Sequence, residues 1–233
     1  ATVGTTSTTA VDPVPAVADI CEQHGIWLHV DAAYGGSAAV LPEMRWVLDG
    51  CDRADSLVVN PHKWLFVPVD CSVLYTRDPE VVREAFSLVP EYLRTPEASE
   101  STNLMDYGVA LGRRFRALKL WFVLRAFGAE GIRERIREHV RLARGLAERI
   151  EADPAWELVA PVPFSTLVFR RVTPGLDPEA QDALNMALMH GVNGTGEVFL
   201  SHTRLRGRIS LRLSVGNLRT EARHLERSWT LLQ

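Results

Sequence analysis

Two short stretches bring together residue types that can do covalent chemistry. Asp31 closes the run Leu28-His-Val-Asp31, and Lys63 closes Asn60-Pro-His-Lys63. A lysine ε-amine can condense with a carbonyl, and a carboxylate beside it can hold a cation or keep a ring nitrogen protonated. Tyr92, in a segment broken by Pro90 and Pro96, adds a phenol able to pass a proton. Each has a plain alternative. Asp31 could cap the turn that follows it, Lys63 could be a surface lysine beside Trp64, and Tyr92 could be an ordinary loop residue.

The elements that must position these groups are legible in outline. Val14, Val17, Ala18 and Cys21 repeat at helical spacing up to the stop signal His24-Gly25. Ile26 to Val30 and Ser56 to Val59 are short apolar runs of the buried parallel type. A third run, Cys71 to Tyr75, precedes a helix from Pro79 to about Phe86. Strands alternating with helices argue for an α/β sheet with mostly parallel strands, and such sheets bind ligands at their carboxyl ends. The stretch from Leu88 to Asp106, with its Glu97-Ala-Ser-Glu-Ser-Thr run, reads as a long loop.

A helical region follows from about Val109 to Ala152, with a break expected near Gly128 and Gly131. Ile132, Ile136, Val140, Ala143, Ala147 and Ile150 form its apolar stripe, and Glu134–Arg137 and Glu138–Arg141 are candidate ion pairs on its wet face. The rest reads as strand (Trp156 to Val159), strand (Thr166 to Val172), helix (Pro178 to Met189), strand (Glu197 to Ser201), strand (Arg208 to Ser214) and helix (Thr220 to Leu232). Residues 1–120 are therefore expected to form part of one α/β domain and residues 121–233 a small α+β domain.

Composition bounds the function. The chain has 233 residues, a formal net charge of −3 and 46% hydrophobic residues. That balance implies no general attraction to nucleic acid or acidic membranes, and no run reaches the roughly 18 apolar residues of a membrane span. Cys21, Cys51 and Cys71 are odd in number and contain no CxxC pair, which reads as reduced thiols in a cytoplasmic protein. His29-x-Asp31 lacks a third metal ligand at suitable spacing, so no metal is expected. Gly191 to Gly196 lacks the Lys-Ser/Thr ending of a phosphate loop and reads as a turn.

Asp31 and Lys63 together fit pyridoxal-phosphate chemistry. That cofactor needs a lysine for its Schiff base and an acid facing its pyridine nitrogen, brought together from separate strand ends. Ala32-Ala33 leaves room for a flat ring. Leu28-His-Val-Asp-Ala-Ala-Tyr34 and Asn60-Pro-His-Lys63-Trp64 resemble the cofactor motifs of the group II pyridoxal-phosphate-dependent decarboxylases, in the aromatic-L-amino-acid decarboxylase branch. Ala1-Thr-Val-Gly-Thr-Thr6 and Leu111-Gly-Arg-Arg-Phe-Arg-Ala-Leu-Lys119 are similar to that family as well.

The resemblance implies a fold of the fold type I, aspartate-aminotransferase-like kind. This chain would supply the C-terminal part of its large domain and the small domain. It implies that Lys63 carries the cofactor, that Asp31 pairs with the pyridine nitrogen and that Ala33 lies against the ring. Thr6 would lie near the ring substituents or the substrate carboxylate, and Asn60 and His62 near the phosphate or the lysine. Tyr92 matches the loop tyrosine that protonates the substrate carbon after CO2 leaves, from a loop that reaches across a homodimer. Relatives with phenylalanine there tend to be aldehyde synthases, so Tyr92 favours simple decarboxylation of an L-amino acid, aromatic by resemblance. The residue stacking on the other ring face and the main phosphate-binding loop lie upstream of anything in this sequence. The chain is accordingly expected to be the C-terminal half of a longer enzyme and inactive alone. A non-catalytic remnant serving as a dimer or interaction module is the rival from another class.

Overall fold

A computed structural model describes residues 1–87 and 102–233. The first sheet is small and built around one buried strand. β1 (His29–Asp31) buries Val30 completely and turns His29 and Asp31 outward, the alternation of a pleated strand. β2 (Ser56–Val59) pairs with β1 in parallel, His29 opposite Ser56 and Asp31 opposite Val58. On the other side of β1 the first residues of the chain continue the ladder. Val3 N–H donates to the Asp31 carbonyl at 2.8 Å, Asp31 N–H donates to Ala1 at 2.8 Å, and Thr2 bridges Asp31 in parallel.

β3 (Val73–Thr76) differs from the mostly parallel expectation, because it runs antiparallel to β2. The connection explains why. A parallel return needs a crossover of a dozen or more residues, usually helical, and here residues 60–72 contain only the single turn α2 (Pro61–Trp64).

α1 (Val14–His24) lays Val14 and Ala18 on this sheet and stops at Gly25, whose φ of 61° supplies the left-handed cap. α3 (Pro79–Phe86) begins as read, with the Asp78 carboxylate accepting from the Glu80 and Val81 amides.

α4 (Arg116–Ala152) starts later than expected and is broken at Gly128, at φ 64° and ψ 175°, while Gly131 stays helical. The predicted stripe is buried, and it serves two cores. Ile132, Ile136 and Val140 pack with Val3, Val30 and Trp64, whereas Ala143, Ala147 and Ile150 pack with the second sheet. Of the two expected ion pairs, Glu138–Arg141 forms at 2.6 Å. Arg137 instead reaches Glu43, at 2.8 and 3.2 Å, since a fork-shaped guanidinium facing a carboxylate on a neighbouring segment can bond both oxygens.

The second sheet is antiparallel, in the order β4 (Trp156–Leu158), β5 (Thr166–Arg171), β7 (Arg208–Ser214), β6 (Ser201–Leu205). β6 lies four residues beyond the expected Glu197 start, and a tight turn is the reason. Arg206 and Gly207 both have positive φ, 49° and 76°, so they form a two-residue hairpin that makes Leu205 and Arg208 the closing pair. α5 (Pro178–Gly194) likewise runs through Gly191, where a turn was expected, because Val192 is buried in the second core. α6 (Ala222–Leu232) starts with a reciprocal cap between Glu221 and His224. The result is the α/β portion plus antiparallel α+β portion expected from the sequence.

Ile136→Ala should lower the unfolding free energy by about 2–5 kcal/mol, the range for emptying a fully buried aliphatic site. A urea melt measures it, and a loss within about 0.5 kcal/mol would mean that α4 does not close the first core. Glycines give a second check. A Cβ on Gly35 would fall 2.6 Å from the Val3 carbonyl oxygen and 2.9 Å from Phe164, while one on Gly145 meets nothing within 4 Å. Gly35→Ala should therefore destabilise by about 1–3 kcal/mol. Gly145→Ala should stabilise by up to about 1 kcal/mol.

Candidate active site

The candidate residues collect at one edge of the first sheet because three neighbouring segments point their carboxyl ends the same way. Segment 1–3, β1 and β2 run parallel, so Asp31 ends β1 while Thr6 and Lys63 follow the carboxyl ends of the strands on either side of it. The ladder extends past the strands themselves. Ala32 N–H donates to the Val58 carbonyl at 3.0 Å, and Asn60 N–H donates to the Ala33 carbonyl at 3.0 Å. Backbone bonds thus tie the aspartate segment to the lysine segment.

Asp31 is exposed, and its Oδ1 accepts from the Ala33 amide at 3.0 Å. The capping alternative and a functional one therefore coexist, because Oδ2 has no hydrogen-bond partner among the described residues. Ala33, whose amide holds this carboxylate, is 6% exposed. The Lys63 amide donates to the Asn60 carbonyl at 2.9 Å, which fixes the turn, and its side chain is exposed with no ion pair among the described residues. Asn60 accepts from the Ser72 hydroxyl at 2.6 Å through Oδ1. His62 does not face open solvent. Its Nδ1 lies 3.1 Å from the Cys71 amide and 2.6 Å from the Cys71 carbonyl oxygen, pinning the start of β3 to α2. Thr6 is exposed in the loop that Thr5 closes by accepting from the Ala10 amide at 3.0 Å. Tyr92 lies outside the described residues.

Four side chains outside the set of candidate site residues support this edge. Tyr34 stacks on Trp64 with centroids 4.9 Å apart, and Phe164 meets both rings edge-on. The residue after Ala33 is thereby packed on the residue after Lys63. The Tyr34 hydroxyl lies 2.9 Å from the Ser165 hydroxyl, and burial pushes the phenol's pKa up. Arg212, on β7 beside Tyr34, is a half-buried cation whose Nε is buried without a partner among the described residues. Burial pushes its pKa down, with the Tyr34 hydroxyl acting in the opposite sense. Tyr34 and Trp64 were legible as the last residues of the two motifs. Nothing local marked Arg212.

The same loop edge touches the second sheet, where the Thr203 hydroxyl donates to Ser7 at 3.0 Å. A groove of about 590 Å³ between Trp46, Arg137 and Arg144 contains none of the candidate residues. Among the described residues no group of three His, Cys, Asp or Glu side chains could hold a metal ion, and no helix is long and apolar enough to cross a membrane.

Chemically, the edge offers a primary amine, a carboxylate with one free oxygen and a small buried residue whose backbone bonds to both segments, and beside Tyr34 lies a guanidinium with an unpartnered Nε among the described residues. A planar aldehyde cofactor with a ring nitrogen fits that donor set, since each group answers one of its needs.

Comparison with known proteins agrees. The pyridoxal-dependent decarboxylase conserved domain matches residues 1–172. Tryptophan decarboxylase from Camptotheca acuminata is 45% identical over 237 residues, covering 100% of this chain and 47% of that protein. Phenylacetaldehyde synthase from Arabidopsis thaliana is 42% identical, covering 100% of this chain and 48% of the relative. The crystal structure of Oryza sativa TDC with PLP and tryptamine superposes with a TM-score of 0.92 at 42% identity, over 100% of this chain and 49% of that one. The chain thus spans about half the length of the relatives it matches. With the family's domain covering well over half of its residues, and the lysine and aspartate motifs side by side on the sheet, this chain belongs to the pyridoxal-dependent decarboxylase family.

Proposed function

We propose that this chain supplies the lysine-bearing half of an enzyme that converts an aromatic L-amino acid to its amine and CO2. The observation that carries the reading is the placement of Asp31 at the carboxyl end of one strand and of Lys63 just beyond the carboxyl end of its hydrogen-bonded parallel neighbour. Pyridoxal phosphate, when bound, supplies a carbonyl for the substrate amine and an electron sink for the bond that breaks.

The roles of the chain's own groups follow from their chemistry. Lys63 holds the cofactor through its ε-amine. The Ala33 amide orients the Asp31 carboxylate through Oδ1, which leaves Oδ2 as the oxygen that would hold a protonated ring nitrogen when the cofactor is bound. Ala33 offers a surface without bulk to one ring face. Asn60 and His62 hold the turn that leads into the lysine, and Thr6 would offer a hydroxyl to the ring substituents or the substrate carboxylate. Arg212 answers that carboxylate in charge, because a partly buried guanidinium with an unpaired Nε favours an anion. Tyr92 gives its phenolic proton to the carbon that CO2 leaves, so no oxidant is required. A homodimer would bring Tyr92 to the partner's site, and the unpaired cysteines accord with a cytoplasmic setting.

Phenylacetaldehyde synthase among the relatives makes aldehyde formation the second reading. Tyr92 favours the amine, and amine release without peroxide from an aromatic amino acid distinguishes the two.

Pyridoxal phosphate added to the purified chain and fixed with borohydride should label the peptide containing Lys63, and Lys63→Ala should remove that label. Label shared with Lys119, the one other lysine of the sequence, in the wild type would count against the assignment. Asp31→Asn should keep the label but weaken binding at least about tenfold, as expected when one hydrogen bond loses its charge. Affinity equal to wild type in an absorbance titration would remove Asp31 from the cofactor site.

A further inference from the structure

Deep under the lysine turn lies a histidine to which no role has yet been given. His139, on α4, is 2% exposed. The Trp64 indole N–H, which can only donate, points at His139 Nδ1 at 3.1 Å. That contact places the ring proton on Nε2, which donates to the Asn217 carbonyl at 3.2 Å. Both nitrogens are therefore satisfied by the neutral ring alone. A second proton would set N–H against N–H at Trp64, and burial pushes the imidazole's pKa down in the same direction.

The segment after the lysine is gripped from two sides. Trp64 is fully buried between Tyr34, Phe164 and His139. Phe66 meets His139 edge-on at 5.7 Å and Phe127 at 6.4 Å, and it holds a positive φ of 62°. A phenylalanine stays in that region only when its surroundings over-determine it. Arg135 covers the outer face of Phe127 at 4.3 Å. On its amino-terminal side the lysine turn is held through Asn60, bonded to Ala33 and Ser72, and through His62, bonded to Cys71.

We infer that His139 is a positioning residue. Through its hydrogen bond to Trp64 it sets the turn that aims Lys63, and through Asn217 it couples that turn to the segment that follows β7, the strand carrying Arg212. The consequence for cofactor binding rests on the reading of Lys63 given above, while the anchoring itself does not. His139→Leu keeps the volume and removes the acceptor, leaving the Trp64 N–H buried and orphaned. His139→Asn keeps an acceptor oxygen near the Nδ1 position. Trp64→Phe keeps the ring stack and removes the donor.

Backbone hydrogen exchange of the 233-residue chain reads the anchoring without any cofactor. His139→Leu should speed exchange of the Lys63, Leu65 and Val67 amides at least about tenfold, the scale set by one orphaned buried donor, with the β1 amides unchanged. Trp64→Phe should do the same, and the double variant should add little. His139→Asn should return exchange to within about threefold of wild type, and Leu146→Ala, in the second core, should leave these amides alone. Unchanged exchange in His139→Leu, or no recovery in a folded His139→Asn, overturns the inference. Pyridoxal-phosphate labelling of Lys63 in the same variants should slow in parallel. A wild type that takes no label at Lys63 but shows the exchange pattern refutes the cofactor reading and leaves the anchoring standing.

Discussion

The parallel pairing of His29–Asp31 with Ser56–Val59 is the constraint on which the rest of this molecule depends. Parallel strands present their carboxyl ends to the same edge, so any polar residue just past each strand is delivered to one place. Here the pairing continues through the Asn60 amide to the Ala33 carbonyl, beyond both strands. The separation of the aspartate and lysine segments is therefore set by main-chain bonds rather than by the side chains that would use it. Register matters equally. A slip of one residue would bury Asp31 and expose Val30, at a prohibitive cost in desolvation.

Pairing alone would not hold such short strands, and packing from far along the chain completes them. α4 lends its Ile132, Ile136 and Val140 to the first core and its later residues to the second. Phe164, just ahead of β5, inserts into the first core against Gly35, where no side chain would fit. The candidate site thus rests on a floor assembled from both parts of the molecule. The surface ion pairs, such as Arg149–Glu226 and Arg227–Glu197, are exposed and add little by comparison.

The first turns of α4 show the opposite condition. Leu118, Trp121, Phe122 and Leu124 are 42–57% exposed, apolar on more than one face of the helix. A helix apolar around its circumference is built for burial. Among the described residues nothing covers it, and the chain spans about half the length of its relatives.

Local signals fixed a good part of this structure before any coordinate was known. β2, α3 and β7 begin and end at the residues read from periodicity and capping, because a β-branched run or an Asp-Pro start carries its own boundary information. The family and its cofactor were legible in the motifs ending at Tyr34 and Trp64. Direction and non-local contact were not. The pattern of β3 is the same whether it runs parallel or antiparallel, and only the short connection decided it. β6 shifted because Arg206-Gly207 closes a hairpin, a pair whose positive φ values the sequence does not announce. Arg137 left its helical neighbour for Glu43, and Arg212 and His139 gained meaning only when β7 and α4 packed beside residues more than 70 positions away in the chain. The sequence by itself determined which residues could do chemistry and which strands would carry them. Tertiary structure decided what holds them in place, because burial and orphaned hydrogen-bond groups arise only when distant segments meet.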